Sequence, residues 1–410
     1  MRKEMEIIKN AGLSSVALAV ALVGQTAHAR VAIDPQSINL EPFKLVPTLG
    51  VEVRQDSNIY SLPSEEVDSM VMVVSPSFRL LAQDRNNTYT ANYDIAGGFY
   101  SENGDDNYVD HKLNVGAHVE PTGRFRFDLG AGYSMLHDDR GVGYSEGRGL
   151  PFILAMSEPD QYALTSLNGG IEYGAKEAAG QISLSLGETQ KRYELDDRAA
   201  DRDFDTTSAA LGFRYKAMPK TKFLVDLEYE VGAYQNAGTA ASSDYTDMRV
   251  YGGAIWDSTA STTGKIRVGV SKRDLESPTQ EDLSSPTWDF GVVWSPLEYT
   301  RFTLDGSQEI TDGTLPTVAI DNTTATVGWN HDVSDRVETR LAYSFSAEDH
   351  HRLTGLNRKD DSNTVSASVN YQMRRWLVLG AGMTFRNRNS NYEEFDLIRN
   401  VYALNAMISL

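Results

Sequence analysis

The sequence predicts an all-β fold, a closed antiparallel transmembrane β-barrel of about eighteen strands, with sixteen strands as the alternative. Three observations support this prediction: apolar and polar residues alternate along the chain, its connections alternate between short and long, and aromatic residues recur at segment ends. Barrels of the bacterial outer membrane combine these features because successive side chains of a strand face lipid and lumen in turn.

The alternation begins at Phe43 and continues to Leu410 in segments long enough for tilted strands of about 9–11 residues. One clear example carries five apolar side chains on one face, namely Phe223, Val225, Leu227, Tyr229 and Val231. Between them stand the carboxylates Asp226, Glu228 and Glu230. A soluble β-sandwich also alternates, but its apolar face points into a core.

Aromatic residues decide between the two interpretations. Trp and Tyr collect where hydrocarbon meets water, because the ring suits one phase and the N–H or O–H the other. Six of them recur roughly every 40 residues as the last outward side chain of a segment: Tyr173, Tyr215, Trp256, Trp294, Trp329 and Tyr371. This spacing predicts a membrane girdle at one rim of a barrel.

Connections form two classes, one tight and one long. The long set is acidic and comprises residues 102–107, 138–160, 194–203, 276–282 and 348–361. Outer-membrane barrels have short periplasmic turns and longer external loops. The tight set is therefore predicted to face the periplasm, with the aromatic girdle at that boundary. The 138–160 loop contains an apolar run, which fits either a plug in the channel or a cap on the barrel rim.

The N-terminus reads as a secretory signal peptide over residues 1–29, with a basic start, an apolar stretch and an Ala27-His28-Ala29 cleavage site. A membrane anchor is the competing interpretation, but the apolar run of about 14 residues is shorter than the roughly 20 that a spanning helix needs. Residues 30–42 are expected to form a periplasmic leader, followed by the outer-membrane barrel over 43–410.

Composition limits the function classes. The formal net charge of −19 disfavours nucleic acid as a partner, because nucleic-acid binding depends on neutralising phosphates. No cysteine is present in the chain, so disulfides and cysteine-based catalysis are excluded. We expect no cofactor, no metal and no enzymatic activity.

Function depends on the lumen, since a barrel of sixteen to eighteen strands holds an aqueous channel. The inward positions predict these lumen-lining candidates: Asp94, Tyr100, Arg126, Asp128, Arg214, Asp226, Glu228, Glu230, Tyr251, Arg267, Arg340, Arg386 and Arg388. Three of them form an acidic row (226, 228, 230) and two a basic patch (386, 388). Pairing of complementary charges between facing strands is the structural alternative to a functional role.

Inward aromatic residues point weakly towards sugars, whose rings have apolar C–H faces and polar rims. The predicted set is Tyr100, Tyr234, Tyr251 and Trp376. Pockets of many classes combine aromatic and polar groups, so these side chains also fit a space-filling role. Two histidine groups near the long loops, at His137 and at His350-His351, fit water activation or simple solvation. The acidic loop residues Asp105 and Asp106 fit either cation binding or solvation.

A short N-terminal region carries a family resemblance. The residues Pro47-Thr48-Leu49-Gly50-Val51-Glu52-Val53, then Asp56-Ser57-Asn58-Ile59-Tyr60, and one strand later Ser75-Pro76-Ser77, resemble the opening of the putative β-barrel porin type 2 family. Pro76 implies an irregular hydrogen-bond ladder, since proline has no N–H to donate. The resemblance implies an outer-membrane component of exopolysaccharide or capsule systems, a passive conduit served by periplasmic partners.

These observations lead to a functional hypothesis with two alternatives. The first interpretation is an outer-membrane porin that exports an exopolysaccharide or capsular polysaccharide. Its expected partners are outer-membrane lipid and lipopolysaccharide, the polysaccharide cargo, and periplasmic or inner-membrane synthesis and export proteins. The runner-up is a general or selective diffusion porin for small solutes, and a third class is a barrel whose acidic loops act in adhesion. The expected location is the outer membrane of a Gram-negative bacterium.

Overall fold

A computed structural model describes residues 37–195, 202–235, 244–259, 261–276, 281–314, 316–353 and 355–409. The predicted signal peptide and residues 30–36 of the predicted leader lie outside these ranges. Among the described residues, no helix has both the length and the apolarity needed to cross a membrane.

Strands dominate the described chain. They are β1 (Ile38–Leu40), β2 (Phe43–Asp56), β3 (Ser69–Asp84), β4 (Asn87–Tyr100), β5 (Tyr108–Thr122), β6 (Phe125–Asp138), β7 (Asp160–Tyr173), β8 (Gly180–Tyr193), β9 (Phe204–Met218), β10 (Thr221–Tyr234), β11 (Tyr245–Thr259), β12 (Thr262–Leu275), β13 (Leu283–Leu297), β14 (Thr300–Asp312), β15 (Thr317–Ser334), β16 (Val337–Arg352), β17 (Arg358–Arg374), β18 (Leu377–Ser390) and β19 (Leu397–Ser409). One short helix, α1 (Leu150–Ala155), and 3₁₀ turns at Gly104–Asp106, Gly143–Ser145 and Glu393–Phe395 interrupt the loops.

The eighteen strands β2 to β19 close into a ring. Each pairs antiparallel with the next, and β19 returns to pair with β2 from Val401 opposite Asp56 to Ser409 opposite Thr48. Closure leaves no unpaired sheet edge, which hydrocarbon would not tolerate. The predicted fold, a closed antiparallel barrel of eighteen strands, is confirmed. The short strand β1 lies outside the ring and forms a hairpin with the start of β2.

Side chains alternate between the two faces of the wall, as the sequence pattern predicted. The outer face carries large exposed apolar residues, such as Leu186, Val225 and Leu404, whose exposed fractions are 58%, 55% and 67%. The inner face is polar, and its buried side chains include Asp247 and Arg273. An apolar outside around a polar inside is the arrangement expected when hydrocarbon surrounds the barrel.

The two ends of the barrel differ in their connections. Two-residue turns join β3 to β4, β5 to β6, β9 to β10, β13 to β14, β15 to β16 and β17 to β18. Most connections at the opposite end are longer, and the largest runs from residue 139 to 159. These ends are called the short-turn end and the long-loop end below. The wall is also interrupted near Pro76, because neither Ser75 nor Pro76 has a partner on β4.

The outer face generates a stability prediction. Leu211 lies at the middle of β9 and points outwards, whereas its neighbour Ala210 faces the lumen. We expect Leu211→Arg to destabilise the folded barrel by about 2–4 kcal/mol, because a charge at the bilayer midplane loses its hydration. Urea unfolding in phospholipid vesicles measures this difference. The matched variant Ala210→Arg places the same charge in water and is expected to cost far less; equal losses would contradict an outer face in contact with lipid.

Candidate functional site

The inner wall carries the residues from which any transport pathway is built. The thirteen predicted lumen-lining residues share strand faces with the polar side chains and alternate with the exposed apolar ones, and their role in lining a transport pathway stays a prediction. Their partners were not predictable from a single strand, because each partner comes from a neighbouring strand whose register the sequence does not state.

The predicted acidic row on β10 is neutralised by an arginine of β12. Arg267 Nη1 lies 2.7 Å from Glu228 Oε1 and 3.2 Å from Asp226 Oδ2, while its Nε donates to Asp289 Oδ2 at 2.6 Å. The guanidinium also lies over the Tyr251 ring. The row is therefore one side of an ion-pair network, so this part of the wall does not act as a simple cation funnel.

The same network continues towards the long-loop end. Arg273 is fully buried and donates to both oxygens of Asp247 at 2.7 Å, and to Asp312 Oδ1 at 2.9 Å. Arg249 donates to Asp247 Oδ2 at 2.7 Å. Glu230 accepts a hydrogen bond from the Tyr245 hydroxyl at 3.0 Å. These paired charges bind the inner surfaces of β10 to β14 together.

Other predicted lumen residues are paired within the wall as well. Asp94 accepts from Ser77 at 2.5 Å, Asp128 lies 2.6 Å from His118, and Arg214 lies 3.6 Å from Asp226. Two further ion pairs join Arg126 to Glu172 and Arg340 to Glu338. Most of the inward charges are thus paired, but within a strand or with a nearby strand of the wall rather than between strands that face each other across the lumen.

A different surface covers the inner face of β14 to β18. It is a strip of partly exposed hydroxyl side chains, which we call the hydroxyl strip: Ser307, Thr324, Thr326, Ser344, Ser346, Thr364, Ser366, Ser368 and Thr384. Neighbouring members bond to each other, as Thr326 and Ser344 do at 2.9 Å. Sequence reasoning did not single this surface out, although Ser and Thr at every second position of these strands was the available signal.

The inward aromatic residues have mixed positions. Tyr251 is buried and shares a hydrogen bond of 3.0 Å with Thr287. Tyr100 and Tyr234 lie at the long-loop ends of β4 and β10. Trp376 does not belong to the inner wall: it is exposed in the turn between β17 and β18, where the alternating pattern no longer applies.

The long loop between β6 and β7 folds over the inner side of the barrel mouth. Its helix α1 buries Ile153 completely against Ile59, Tyr60 and Leu62 of the β2–β3 connection. Gly141 has a φ of +91°, and a Cβ there would lie 1.9 Å from the Tyr60 carbonyl oxygen, so this close approach requires glycine. The loop, for which the sequence allowed a plug or a cap, is thus packed against the β2–β3 connection and against Tyr100 at the end of β4.

An ion pair anchors this loop at its start. The guanidinium of Arg140 makes two hydrogen bonds to Asp106, at 2.6 and 2.8 Å, and the Tyr60 hydroxyl donates to the same carboxylate at 2.7 Å. The bond to Asp106 raises the pKa of Arg140, while burial and then Asp106 raise the pKa of Tyr60. Both groups therefore stay protonated at physiological pH, so the anchor does not change with moderate changes of pH.

The tip of the loop reaches the opposite side of the mouth. Glu146 Oε1 accepts a hydrogen bond of 2.6 Å from Arg388 Nη1 of β18, and Glu146 Oε2 lies 3.6 Å from Arg358 Nη1 of β17. Gly147, with a φ of +70°, packs against the Phe395 ring. Arg388, one of the two residues of the predicted basic patch, is therefore held by this loop. The loop leaves β6, passes over the lumen side of β2 to β5 and reaches β18.

The six predicted girdle residues lie on the outer face towards the short-turn end. Tyr173 is opposite Phe125 in the β6–β7 ladder, and their rings are 4.9 Å apart. Trp294 and Trp329 flank Phe302 on adjacent strands, the first at a ring distance of 5.2 Å. Tyr215 and Tyr371 are exposed, whereas Trp256 is partly covered. Their role at a membrane boundary stays a prediction.

The predicted histidine groups lie at the long-loop ends of their strands. His137 Nδ1 lies 2.8 Å from Asp110, and its ring stacks on Tyr108. His350 Nε2 lies 3.1 Å from Glu348 and 3.6 Å from Asp360, and these three residues have the ligand spacing of a cation site. Arg358 Nη2, only 2.9 Å from Asp360 Oδ2, already supplies a positive charge there.

Closed pairing, an apolar exterior and a polar lumen define an outer-membrane β-barrel of the porin class. The family model described as "Putative beta-barrel porin 2" matches residues 31–409, so the chain belongs to that family. The family resemblance predicted from the Pro47 to Ser77 region is confirmed. No curated protein shows significant similarity to the chain.

Solved structures with a similar fold are outer-membrane barrels of low sequence identity. The apoprotein form of the FrpB iron transporter of Neisseria meningitidis is 12% identical, with a TM-score of 0.50, over 84% of this chain and 61% of that chain. OccK3 (OpdO) of Pseudomonas aeruginosa is 11% identical, with a TM-score of 0.46, over 89% and 95%. OpdK of the same bacterium is 12% identical, with a TM-score of 0.48, over 89% and 99%.

The chain spans only 61–63% of the FrpB structures it matches. At such identities the likeness shows the shared fold alone.

The loop anchor generates a second prediction. We expect Asp106→Asn to release the 139–159 loop, because it leaves the buried Arg140 guanidinium without its charged partner, a loss of about 3–5 kcal/mol. Hydrogen exchange of the loop amides in detergent micelles should become faster, while the barrel strands keep their protection. The neighbouring exposed residue provides the control, since Asp105→Asn removes the same charge without touching Arg140. Unchanged exchange in Asp106→Asn would reject this anchor.

Proposed function

We propose that the protein is the outer-membrane conduit through which an exopolysaccharide or capsular polysaccharide leaves the cell. The observation that carries the proposal is the hydroxyl strip of β14 to β18. Sugars and side-chain hydroxyls are both donors and acceptors, so each polymer unit can exchange its hydrogen bonds with the next hydroxyl along the wall. Neutral contacts of this kind are individually weak, which suits a surface over which a long polymer moves.

The charged part of the wall supports the same proposal. Most inward charges between β10 and β14 are paired within the wall, so they bind their neighbours rather than a passing solute. An eighteen-stranded ring is also wide enough to leave an aqueous lumen. A polar path of this width, with few free charges, accommodates a hydrated polymer.

Location and partners complete the proposal. The apolar outer face would contact lipid and lipopolysaccharide in the outer membrane of a Gram-negative bacterium, with the six aromatic residues at the periplasmic boundary. Periplasmic or inner-membrane synthesis and export proteins would deliver the polymer to the short-turn end. The implication of the family resemblance, a component of exopolysaccharide or capsule systems, agrees with this assignment.

Deletion of the gene tests the proposal directly. We expect surface polysaccharide to disappear and polymer to accumulate inside the cell envelope, because the conduit is the polymer's route to the surface. Staining of surface polymer and quantification of periplasmic carbohydrate measure both effects. Restoration by the wild-type gene is the control. Unchanged surface polymer together with slower uptake of small solutes would instead assign a diffusion porin.

Paired variants test the hydroxyl strip itself. The double substitution Ser344→Trp/Ser366→Trp adds two large side chains to the lumen and is expected to reduce surface polymer several-fold in the complemented strain. The matched double substitution Ala325→Trp/Ala367→Trp adds the same side chains to the outer face of β15 and β17, where lipid accommodates them. Both variants must yield comparable amounts of folded barrel, measured by the heat-modifiable migration of the protein in gel electrophoresis. Equal export of polymer by the two variants would contradict a role of the hydroxyl strip in the export pathway.

A further inference from the structure

The contact between the loop tip and the wall at β17 and β18 is the most informative feature that the proposed function leaves unused. Three arginines project there from the inner face near the long-loop end, and we call Arg358, Arg386 and Arg388 the arginine cluster. Two of them, Arg358 and Arg388, hold one side chain of a loop that begins six strands away along the ring. The cluster therefore already binds a carboxylate.

The geometry of that carboxylate is well defined. Glu146 Oε1 accepts from Arg388 Nη1 at 2.6 Å, and its other oxygen lies 3.6 Å from Arg358 Nη1. Arg388 is oriented by a second bond, from its Nε to the Phe395 carbonyl oxygen at 2.6 Å, and Arg358 by its pair with Asp360 and by the Phe395 ring. Guanidinium groups held in this way recognise carboxylates with defined geometry.

Arg386 extends the cluster along the lumen. It lies two residues from Arg388 on the same face of β18, directly opposite Arg399 of β19, and is partly exposed. Within the described part of the chain it makes no side-chain hydrogen bond or ion pair, whereas Arg399 is paired with Asp56. Across the β17–β18 ladder, Arg386 faces Thr364, a member of the hydroxyl strip. A free guanidinium thus adjoins a surface suited to sugar hydroxyls.

The occupant of the cluster, Glu146, directly follows a 3₁₀ turn in which buried Ser145 accepts a hydrogen bond from the Gly141 N–H, so the Glu146 side chain can leave the cluster while the loop backbone stays in place. The loop is fixed at Arg140 and at Ile153, and the tip between them contains Gly143 and Gly147 in left-handed conformations. Glu146 itself is partly exposed, so water and solutes reach the contact. A soluble carboxylate can therefore compete with Glu146 for the two arginines.

We infer that the arginine cluster is a binding site for the carboxylate groups of an acidic polysaccharide, and that Glu146 occupies this site when no polymer is present. This inference rests on the proposed function and adds the chemical class of the cargo. The polymer's carboxylates would bind Arg386 first and then displace the Glu146 side chain from Arg388 and Arg358. The formal net charge of −19 opposes entry of a polyanion, so the attraction has to be local to this cluster.

Calorimetric titration of the folded full chain in detergent tests the inference. The probes are hexagalacturonate, which is acidic, and maltohexaose, a neutral oligosaccharide of the same length. We expect the wild type to bind the acidic probe more tightly, and Arg386→Gln and Arg388→Gln to weaken only that binding by about tenfold or more, since each removes a charge-assisted hydrogen bond. Because Arg386 has no partner to lose, Arg386→Gln does not threaten the fold.

Competition gives the inference its distinguishing signature. Glu146→Gln removes the internal competitor, so it should tighten binding of the acidic probe several-fold and leave the neutral probe unchanged. Glu158→Gln is the matched control, because Glu158 is exposed in the same loop and makes no contact with the cluster.

Equal affinities for the two probes, or no gain in Glu146→Gln, would overturn the acidic cargo while leaving a polysaccharide conduit in place. Failure of both probes to bind any variant would count against both proposals.

Discussion

The structure depends on one constraint, the pairing of every backbone N–H and C=O group where no water is available. A strand in hydrocarbon has no other partner for these groups than an adjacent strand, so the sheet must close on itself. In this chain the closure is made by β19 returning to β2. Closure fixes the register of all eighteen strands, and the register in turn decides which side chains meet on the inner wall. The ion pairs and the hydroxyl strip are consequences of that register.

The lumen divides into surfaces of different chemistry. On β10 to β14, carboxylates and guanidinium groups from neighbouring strands neutralise each other, as Arg267 does for Glu228 and Asp289. On β14 to β18 the wall carries the hydroxyl strip beside charged and amide side chains such as Glu309 and Arg340. Near the long-loop end of β17 and β18, arginines take up a carboxylate from a loop rather than from an adjacent strand. The tip of the long loop and two buried arginines of the wall therefore meet at one place.

The fold could be predicted in detail because the alternation of apolar and polar residues within each strand assigns its outer and inner faces. The outward direction of Val225 and the inward direction of Glu228 follow from alternation alone. Partners across strands were beyond such reasoning, since Arg267 and Glu228 are brought together by a register that no single segment encodes. The contact of Glu146 with Arg388 joins residues 242 positions apart and depends on how a loop packs. Trp376 was misplaced because a turn obeys no two-residue period.

The meeting of β2 with β19 has a consequence for how the protein is made. The ring closes between its first strand, β2, and its last, β19, so a partly synthesised chain cannot close. Until the last strand is in place, the unclosed chain has to stay out of hydrocarbon, because two strand edges are still unpaired. A mean hydropathy of −0.39 and an excess of acidic groups help it do so, because repulsion between chains keeps unfinished molecules apart. Solubility before insertion is thus built into the same residues that later line the passage.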